Sequence, residues 1–387
     1  MEEKPVRILI VDDEPDIELL IRQRFKRRSG EFEFVFAANG QEALERLQEH
    51  PELEVVVTDI NMPVMDGLTL LSRLGATNRL LKAVILSAYG DMPNIRTAMN
   101  RGAFDFLTKP IDFQDFETTI RKTVHEVETA RQGEQARVQL LALRQELEIA
   151  SRIQQSLLPR HFPAFPERSE FDLYAEMAPA RQVGGDFYDF FLIDDERLGF
   201  VIGDVSGKGV PAALFMAVSR TLLRATAMQG VSPAECLAYM NRVLGRQAEE
   251  GVYVTMFYGV FHTATGEVEY AIGGHNPPFV LRRGGELIEL TEPAGMVVGL
   301  LPDMKYENGR LQLEPGEAIL LYTDGVTEAQ DEAEKFYSER RLREVLRNMG
   351  PQTPEAMIRG VLEDVERFSG GAAQADDVTM LALKRSG

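Results

Sequence analysis

Two aspartates lie beside glycines at the ends of two apolar runs in the middle of the chain. Asp186 follows a glycine pair and precedes the run 187–193, and Asp204 follows a glycine at the end of the run 198–202. If the runs pair as a β-hairpin, both carboxylates come to the same end of it. Small neighbours leave room for a hard divalent cation, which needs oxygen ligands and bound water. Glycine and aspartate are also the commonest turn residues, so for either aspartate alone an ordinary turn is the simpler interpretation.

Two further acidic sites strengthen the metal interpretation. Asp324 follows the apolar run 318–321, and Asp376 and Asp377 precede the run 378–383. The chain contains no His-x-x-x-His or Cys-x-x-Cys pattern that would compete for a metal. Ligation by oxygen alone favours Mg²⁺ or Mn²⁺ over zinc. The pattern predicts a divalent-metal site built from Asp186, Asp204, Asp324 and Asp376.

Residues 147–384 resemble the PPM family of metal-dependent protein serine/threonine phosphatases, in the bacterial branch typified by the stage II sporulation E phosphatase. The matching motifs, in family order, are ELEIASRIQQSLLP, VGGDFYDF, GDVSGKG, GGHNPP, YTDGVTEA and ADDVT. The resemblance implies an α+β fold in which two antiparallel sheets lie between helix layers. It also implies two Mn²⁺ or Mg²⁺ ions held by Asp186 and Asp204, the carbonyl of Val205, Asp324 and Asp376. Two such ions can activate water for in-line attack on a phosphate ester.

The same resemblance gives weaker indications for other residues. Arg181 stands where related phosphatases carry a phosphate-binding arginine. His275 is equally consistent with a general acid and with a turn histidine in a structural hydrogen bond, and Asp189 and Asp377 with supporting or purely structural roles. The chain has Phe336-Tyr337 where the family usually has Phe-Gly, which puts substrate contacts in doubt. Gly207-Lys208-Gly209 lacks the glycine and hydroxyl residues of a nucleotide-binding loop.

The N-terminal part alternates strand-like and helix-like segments five times, which predicts a doubly wound, five-stranded parallel sheet. Ligands of such sheets bind beyond the carboxyl ends of the strands. Polar residues occupy those ends, namely Asp12, Asp13, Asp59, Ser87 and Lys109. Carboxylates with a lysine and a hydroxyl can hold Mg²⁺ and a phosphoryl group, with one aspartate as the nucleophile.

This segment resembles the flavodoxin-like receiver domain of two-component response regulators. The resemblance implies that Asp59 in DINMPVMDG is the phosphoacceptor and that Asp12 and Asp13 hold Mg²⁺ with it. Ser87 and Lys109 would bind the phosphoryl oxygens, and Phe106 would be the switch aromatic residue. The Lys109-Pro110 peptide bond is expected to be cis.

One long helix is predicted between these two parts, from about Asp112 to Leu158. Along it, an a/d pattern that is apolar except at Gln154 recurs at three- and four-residue spacing, at Leu140, Leu143, Leu147, Ala150, Gln154 and Leu157. The pattern fits a coiled-coil seam of a homodimer, and it also fits an amphipathic helix packed on its own phosphatase domain. Prolines from Pro159 onward end the helix. The predicted domains are therefore 1–123 (receiver), 124–158 (helical linker) and 159–387 (phosphatase).

Composition excludes several classes of protein. The formal net charge of −19 argues against nucleic acid as a partner, because phosphate neutralisation needs clustered lysine and arginine. No apolar run approaches the roughly 20 residues of a membrane span, and the first residues lead directly into a strand, so we expect no membrane segment and no signal peptide. A single cysteine, Cys236, excludes an internal disulfide and fits a cytoplasmic protein.

Both resemblances together predict a response regulator that is a phosphatase. Phosphorylation of Asp59 by a sensor histidine kinase or phosphotransfer protein would control dephosphorylation of a serine or threonine in a partner protein. The expected substrate is an anti-sigma-factor antagonist of the STAS class, in a stress or partner-switching pathway. The alternative is a non-catalytic adaptor that binds a sigma factor or its regulator, although such a protein would be expected to lose the metal carboxylates.

Overall fold

The structure is a computed structural model that describes residues 5–26, 30–75, 80–247, 251–350 and 352–387. The chain divides into two compact units, Met1–Leu143 and Arg144–Gly387. Each unit has its own hydrophobic core, and the two are described separately below.

The first unit contains one parallel sheet of five strands in the order β2-β1-β3-β4-β5. Its strands are β1 Val6–Val11, β2 Phe32–Ala37, β3 Val55–Asp59, β4 Lys82–Ala88 and β5 Asp105–Lys109. Valine, isoleucine and leucine dominate β1, β3 and β4, as expected of strands that are covered on both faces. The predicted doubly wound fold is confirmed.

Helices cover both faces of this sheet, so that two separate apolar clusters form above and below it. They are α1 Pro15–Phe25, α2 Gly40–Glu49, α3 Gly67–Gly75, α4 Met92–Asn100 and the first part of α5. Local sequence sets the helix starts: Asn39 caps α2 by accepting hydrogen bonds of 3.0 Å from the backbone N–H groups of Gln41 and Glu42.

Helix α5 runs without interruption from Phe113 to Leu157, a length of 45 residues. It passes through Gly133, because one glycine costs a helix interior only about 1 kcal/mol. Its residues up to Leu143 belong to the first unit, and those from Arg144 belong to the second.

The second unit contains two five-stranded antiparallel sheets, in the orders β13-β10-β9-β8-β7 and β12-β11-β14-β15-β6. The strands are β6 Phe171–Ala178, β7 Phe187–Leu192, β8 Arg197–Val205, β9 Val254–His262, β10 Glu267–Gly273, β11 Phe279–Leu281, β12 Leu287–Glu289, β13 Gly309–Gln312, β14 Ala318–Tyr322 and β15 Val378–Arg385. The two inner faces share one large apolar core.

Helices lie on the outer face of each sheet, which makes the predicted layered α+β sandwich. They are α6 Val210–Ala227 and α7 Pro233–Gln247 on the first sheet, and α8 Asp324–Thr327, α9 Ser338–Met349 and α10 Pro354–Ser369 on the second. Cys236 is fully buried in α7, where it packs as a small apolar residue. Among the described residues, none of the helices combines the length and the apolar character that a membrane span requires.

Candidate functional site

The hairpin predicted around the two aspartates is present in the second unit. Strands β7 and β8 pair with Phe187 opposite Gly203. Asp186 precedes the first residue of that pair and Asp204 follows the second, so the register puts both carboxylates at the same end of the hairpin.

Two threonine hydroxyls hold the Asp186 carboxylate, which is 2% exposed. Thr323, at the end of β14, and Thr379, on β15, both donate to its Oδ2 atom, at 2.8 Å and 2.6 Å. Both hydrogen bonds engage the same oxygen of the carboxylate. The strands of the second sheet therefore fix the orientation of a carboxylate that belongs to the first.

Asp377 stabilises, through hydrogen bonds, the glycine-containing loop that precedes Asp186. Its carboxylate accepts hydrogen bonds from the backbone N–H of Ala180 at 2.8 Å and of Gly185 at 2.9 Å. Glycine is required in this loop, since a Cβ atom at Gly184 would lie 1.8 Å from Oδ2 of Asp377. These hydrogen bonds hold the start of β7 next to the start of β15.

The last turns of α5 reach the same loop. The side chain of Gln154, 7% exposed, donates to the carbonyl of Gly184 at 2.6 Å and accepts from its N–H at 3.2 Å. A glutamine on the predicted apolar stripe thus has a polar role that its spacing did not indicate.

The acidic groups perturb one another strongly. Burial raises the pKa of Asp204 to about 7, with the charges of Asp324 and Asp376 adding to the effect. Burial and the charge of Asp204 raise the pKa of Asp186, and burial and Asp376 raise that of Asp324. The charges of these carboxylates, which come from four chain segments, act on one another, and mutual perturbation of this kind is typical of functional sites.

Lys208, in the loop between β8 and α6, lies beside the fourth aspartate. Its Nζ atom is 2.9 Å from Oδ2 of Asp376 and donates to the carbonyl of Ala375 at 2.9 Å. The charge of Lys208 opposes the rise in the pKa of Asp324 and of Glu328, a carboxyl group that sequence reasoning did not single out.

These residues fit divalent cations. The donor set is oxygen only, and the carbonyl oxygen of Val205 faces the loop, 2.8 Å from the position of a Cβ at Gly185. Buried carboxylates that repel one another gain from a cation between them, and in this structure an ammonium group already pairs with Asp376.

Other residues that the sequence singled out differ in their contacts. Arg181 is exposed, and no hydrogen bond or ion pair within the described part of the chain joins it to the four aspartates. Asp189 is buried in ion pairs with Arg220 at 3.0 Å and Arg224 at 3.2 Å, a structural arrangement. Tyr337 is buried and its hydroxyl donates to Asp364 at 2.8 Å, whereas Phe336 remains exposed.

His275 shares a hydrogen bond of 2.9 Å between its Nδ1 atom and the hydroxyl of Thr255, which pairs with Asp204 across β8 and β9. Burial lowers the pKa of His275 to about 4, so the ring is neutral at pH 7. This environment favours the structural interpretation over a general acid.

The first unit has its own acidic pocket at the carboxyl ends of its strands. Ligand oxygens of Asp12, Glu14 and Asp59 lie within 4.8 Å of one another, while Asp13 is exposed beside them. Lys109 contacts all three carboxylates, at 2.9 Å from Asp12 and 2.8 Å from Glu14 and Asp59. Burial opposes the lysine charge, but these hydrogen bonds raise the pKa of Lys109 above its usual value.

Two further features of this pocket match the expected binding of a phosphoryl group. Ser87 is 1% exposed and its hydroxyl has no hydrogen-bond partner among the described residues, so it is available to a ligand. The Lys109-Pro110 bond is cis as expected, and Phe106, the second residue of β5, is 38% exposed.

Comparison with known proteins agrees with both halves of this description. Residues 8–121 match the profile of the response regulator receiver domain, and residues 194–386 match that of stage II sporulation protein E (SpoIIE). The phosphoserine phosphatase RsbU of Bacillus subtilis (strain 168) is 30% identical over 243 residues, covering 63% of this chain and 71% of RsbU. The chain belongs to the SpoIIE family.

Other similarities extend this SpoIIE assignment. Protein IcfG of Synechocystis sp. (strain ATCC 27184 / PCC 6803 / Kazusa) is 32% identical over 271 residues, although the chain spans only 42% of its length. The solved SiaA-PP2C domain of Pseudomonas aeruginosa, at 22% identity, superposes with a TM-score of 0.56 over 63% of this chain and 98% of that domain, which supports the fold. The predicted combination of a receiver with a SpoIIE-type phosphatase domain is confirmed, and the chain is a homologue of phosphoserine phosphatases.

The SpoIIE match begins after Asp186, so the role of that residue depends on the geometry described above. The sequence predicted no role in either site for Thr323, Thr379, Gln154, Lys208 or Glu14. The two threonines flank predicted metal aspartates in TDG and DDVT, and that proximity was the available signal.

Proposed function

We propose that this protein is a response regulator whose C-terminal unit removes phosphate from phosphoserine or phosphothreonine of a partner protein. The observation that carries the proposal is the mutual electrostatic perturbation of Asp186, Asp204, Asp324 and Asp376, with the pKa of Asp204 raised to about 7. A metal-free cluster of this kind is electrostatically unfavourable, and divalent cations offset the repulsion.

Two Mn²⁺ or Mg²⁺ ions would be held by the four aspartates and the carbonyl of Val205. Bound there, they would supply Lewis acidity and activate water for hydrolysis of a phosphate ester. The chain's own contribution is orientation: Thr323 and Thr379 fix Oδ2 of Asp186, and Asp377 fixes the loop before it. A preorganised ligand set spends less binding energy on ordering its side chains.

The N-terminal receiver would take phosphate on Asp59 from a sensor histidine kinase or a phosphotransfer protein. Mg²⁺ would be bound by Asp12 and Asp59, with Glu14 or Asp13 beside them. Lys109 already contacts Asp59 at 2.8 Å, and the hydroxyl of Ser87 has no partner in the described part of the chain, so both are placed to receive the phosphoryl oxygens.

The proposed substrate is a phosphorylated STAS-type anti-sigma-factor antagonist. Similarity to RsbU, a phosphoserine phosphatase, supports phosphoserine as the group from which phosphate is removed. The net charge of −19 gives no support to nucleic acid as a partner. Homodimerisation through the exposed part of α5 is part of the same proposal, because Leu140 and Leu143 are about half exposed there.

The test is Mn²⁺-dependent hydrolysis of a phosphoserine peptide by the wild type and the Asp204→Asn variant. Removing one negative charge between the cations should lower the rate by about hundredfold or more, with the fold unchanged. Asp303→Asn, a change at an exposed aspartate, is the control and should be as active as the wild type. Wild-type hydrolysis that needs no divalent cation, or a fully active Asp204→Asn variant, would contradict the proposal.

The non-catalytic adaptor remains the competing hypothesis. It predicts a wild type that binds its partner but shows no cation-dependent hydrolysis of any phosphopeptide tested. The complete set of four acidic ligands supports the enzyme, since an adaptor would have no reason to retain their mutual repulsion.

A further inference from the structure

Lys208 is a cation within the acidic site for which neither the sequence motifs nor the comparisons supply a role. It lies in the loop that joins β8, which ends next to Asp204, to α6. Gly207 and Gly209 on either side have φ angles of 94° and 79°, a left-handed backbone that other residues rarely adopt. The two glycines that flank Lys208 direct the loop, and Lys208 with it, toward the segment that carries Asp376.

The contacts of Lys208 are those of a counter-ion. Its ammonium group is 2.9 Å from Oδ2 of Asp376 and donates a hydrogen bond to the carbonyl of Ala375. Its charge also acts on Asp324 and Glu328: burial raises the pKa of both carboxyl groups, and the positive charge of Lys208 opposes that rise. Lys208 thus neutralises the part of the site where Asp324 and Asp376 meet.

The side chain is nevertheless free to move. It is 45% exposed, and Asp376 is 39% exposed, so an ion pair between them is weak and exchanges easily with solvent. A divalent cation ligated by Asp376 would repel the ammonium group and compete for the same carboxylate oxygen. The flexible four-carbon stem of lysine allows the charge to turn away while its backbone stays fixed.

We propose that Lys208 binds the phosphoryl group of the substrate and, without metal, occupies Asp376 as an internal counter-ion. Cation binding releases Lys208, which then faces the non-bridging oxygens of the substrate beside the metal ligands. Arg181, for which a phosphate-binding role is expected from the sequence, is exposed, so Lys208 would bind the phosphoryl group in addition to it. This inference rests on the proposed phosphatase function.

The test uses the full-length protein with Lys208→Gln, and Lys208→Arg as the variant that keeps the charge. Without substrate, Mn²⁺ titration followed by electron paramagnetic resonance should show Lys208→Gln binding the ion several-fold more tightly than the wild type, because its internal competitor is gone. In the same variant, KM for a phosphoserine peptide and the inhibition constant of inorganic phosphate should both rise by about tenfold. Lys208→Arg should keep phosphate affinity within a few-fold of the wild type, and Lys305→Gln, at an exposed lysine, should change neither quantity.

Tighter Mn²⁺ binding together with weaker phosphate binding in Lys208→Gln distinguishes this role from a purely structural ion pair. A structural ion pair would leave phosphate affinity unchanged or weaken Mn²⁺ binding in Lys208→Gln, and either result would overturn the proposal. Failure of the phosphatase function is separable, because it would appear as a wild type without hydrolysis. Mn²⁺ affinity and the binding of inorganic phosphate, followed by calorimetry, would in that case still decide the role of Lys208.

Discussion

Asp186 receives hydrogen bonds from Thr323 and Thr379, which are 137 and 193 residues away along the chain. The aspartates themselves were predictable, because glycine and acidic residues at strand ends are visible within a short window of sequence. The threonines were not, since their hydroxyls reach Asp186 only after the ends of two different sheets meet. The contact of Lys208 was not predictable for the same reason, because its partner Asp376 is 168 residues later in the chain.

The contribution of the Thr379 hydroxyl to the site should be measurable as a change in Mn²⁺ affinity. In Thr379→Val, a similar shape without the hydroxyl, Oδ2 of Asp186 loses its shorter hydrogen bond, of 2.6 Å. A hydrogen bond to a charged group contributes about 1.5–3 kcal/mol, so Mn²⁺ affinity should fall by about tenfold or more. Calorimetric titration of Thr379→Val beside Thr379→Ser, which retains the donor, checks this. Equal Mn²⁺ affinities of Thr379→Val and Thr379→Ser would show that this hydroxyl does not orient Asp186.

Protonation of Asp204 predicts how Mn²⁺ binding depends on pH. Its pKa is raised to about 7 without metal, so below that pH the carboxyl group is protonated and each bound cation must displace the proton. Apparent Mn²⁺ affinity should therefore fall by about tenfold per pH unit below about pH 7 and level off above it. Calorimetry in two buffers with different ionisation enthalpies should detect proton release at low pH only. Binding that does not vary between about pH 6 and pH 8 would show that Asp204 is already ionised.

At the scale of elements, α5 illustrates what spacing can and cannot predict. The apolar spacing correctly indicated one long helix, but it did not distinguish a dimer seam from packing on the same chain. In the structure the stripe is divided: Leu140 and Leu143 are exposed, while Gln154 is buried against the Gly184 loop of its own unit. A dimer through the exposed part stays a prediction. Burial of the last turns could not be foreseen, because it depends on where the loop before β7 lies.

The contact between Gln154 and Gly184 should link the end of α5 to metal binding. Gln154→Met keeps the length of the side chain but leaves the buried N–H and carbonyl of Gly184 unpaired, at a cost of about 1–3 kcal/mol. We expect this loss in the free energy of unfolding of the second unit and a weaker Mn²⁺ affinity, since the loop carries Asp186. Denaturant unfolding and Mn²⁺ titration measure the two effects.

Ile153→Met provides the matched control for this prediction. Ile153 is the preceding residue of the same helix and is 60% exposed, so its replacement should be neutral in both measurements. If Gln154→Met binds Mn²⁺ as tightly as this control does, the helix end has no influence on the metal ligands.

At the scale of the whole molecule, the chain combines two sites with one covalent connection between them. Helix α5 begins after the strand that carries Lys109 and ends beside the loop that carries Asp186. Phosphorylation can change the output only if it favours one of two arrangements by a difference in free energy. The fold of each unit followed from local periodicity and motif order, whereas the coupling between the units depends on that energy difference, which no pattern of residues encodes.

Control of the phosphatase unit by the receiver is tested by the rate of Mn²⁺-dependent phosphoserine hydrolysis with and without beryllofluoride, an acyl-phosphate mimic. We predict that beryllofluoride changes the rate of the wild type, that it has no effect on Asp59→Ala, and that Asp204→Asn is inactive in both conditions. A wild-type rate that beryllofluoride leaves unchanged, or an Asp59→Ala variant that responds to it as the wild type does, would contradict control through Asp59.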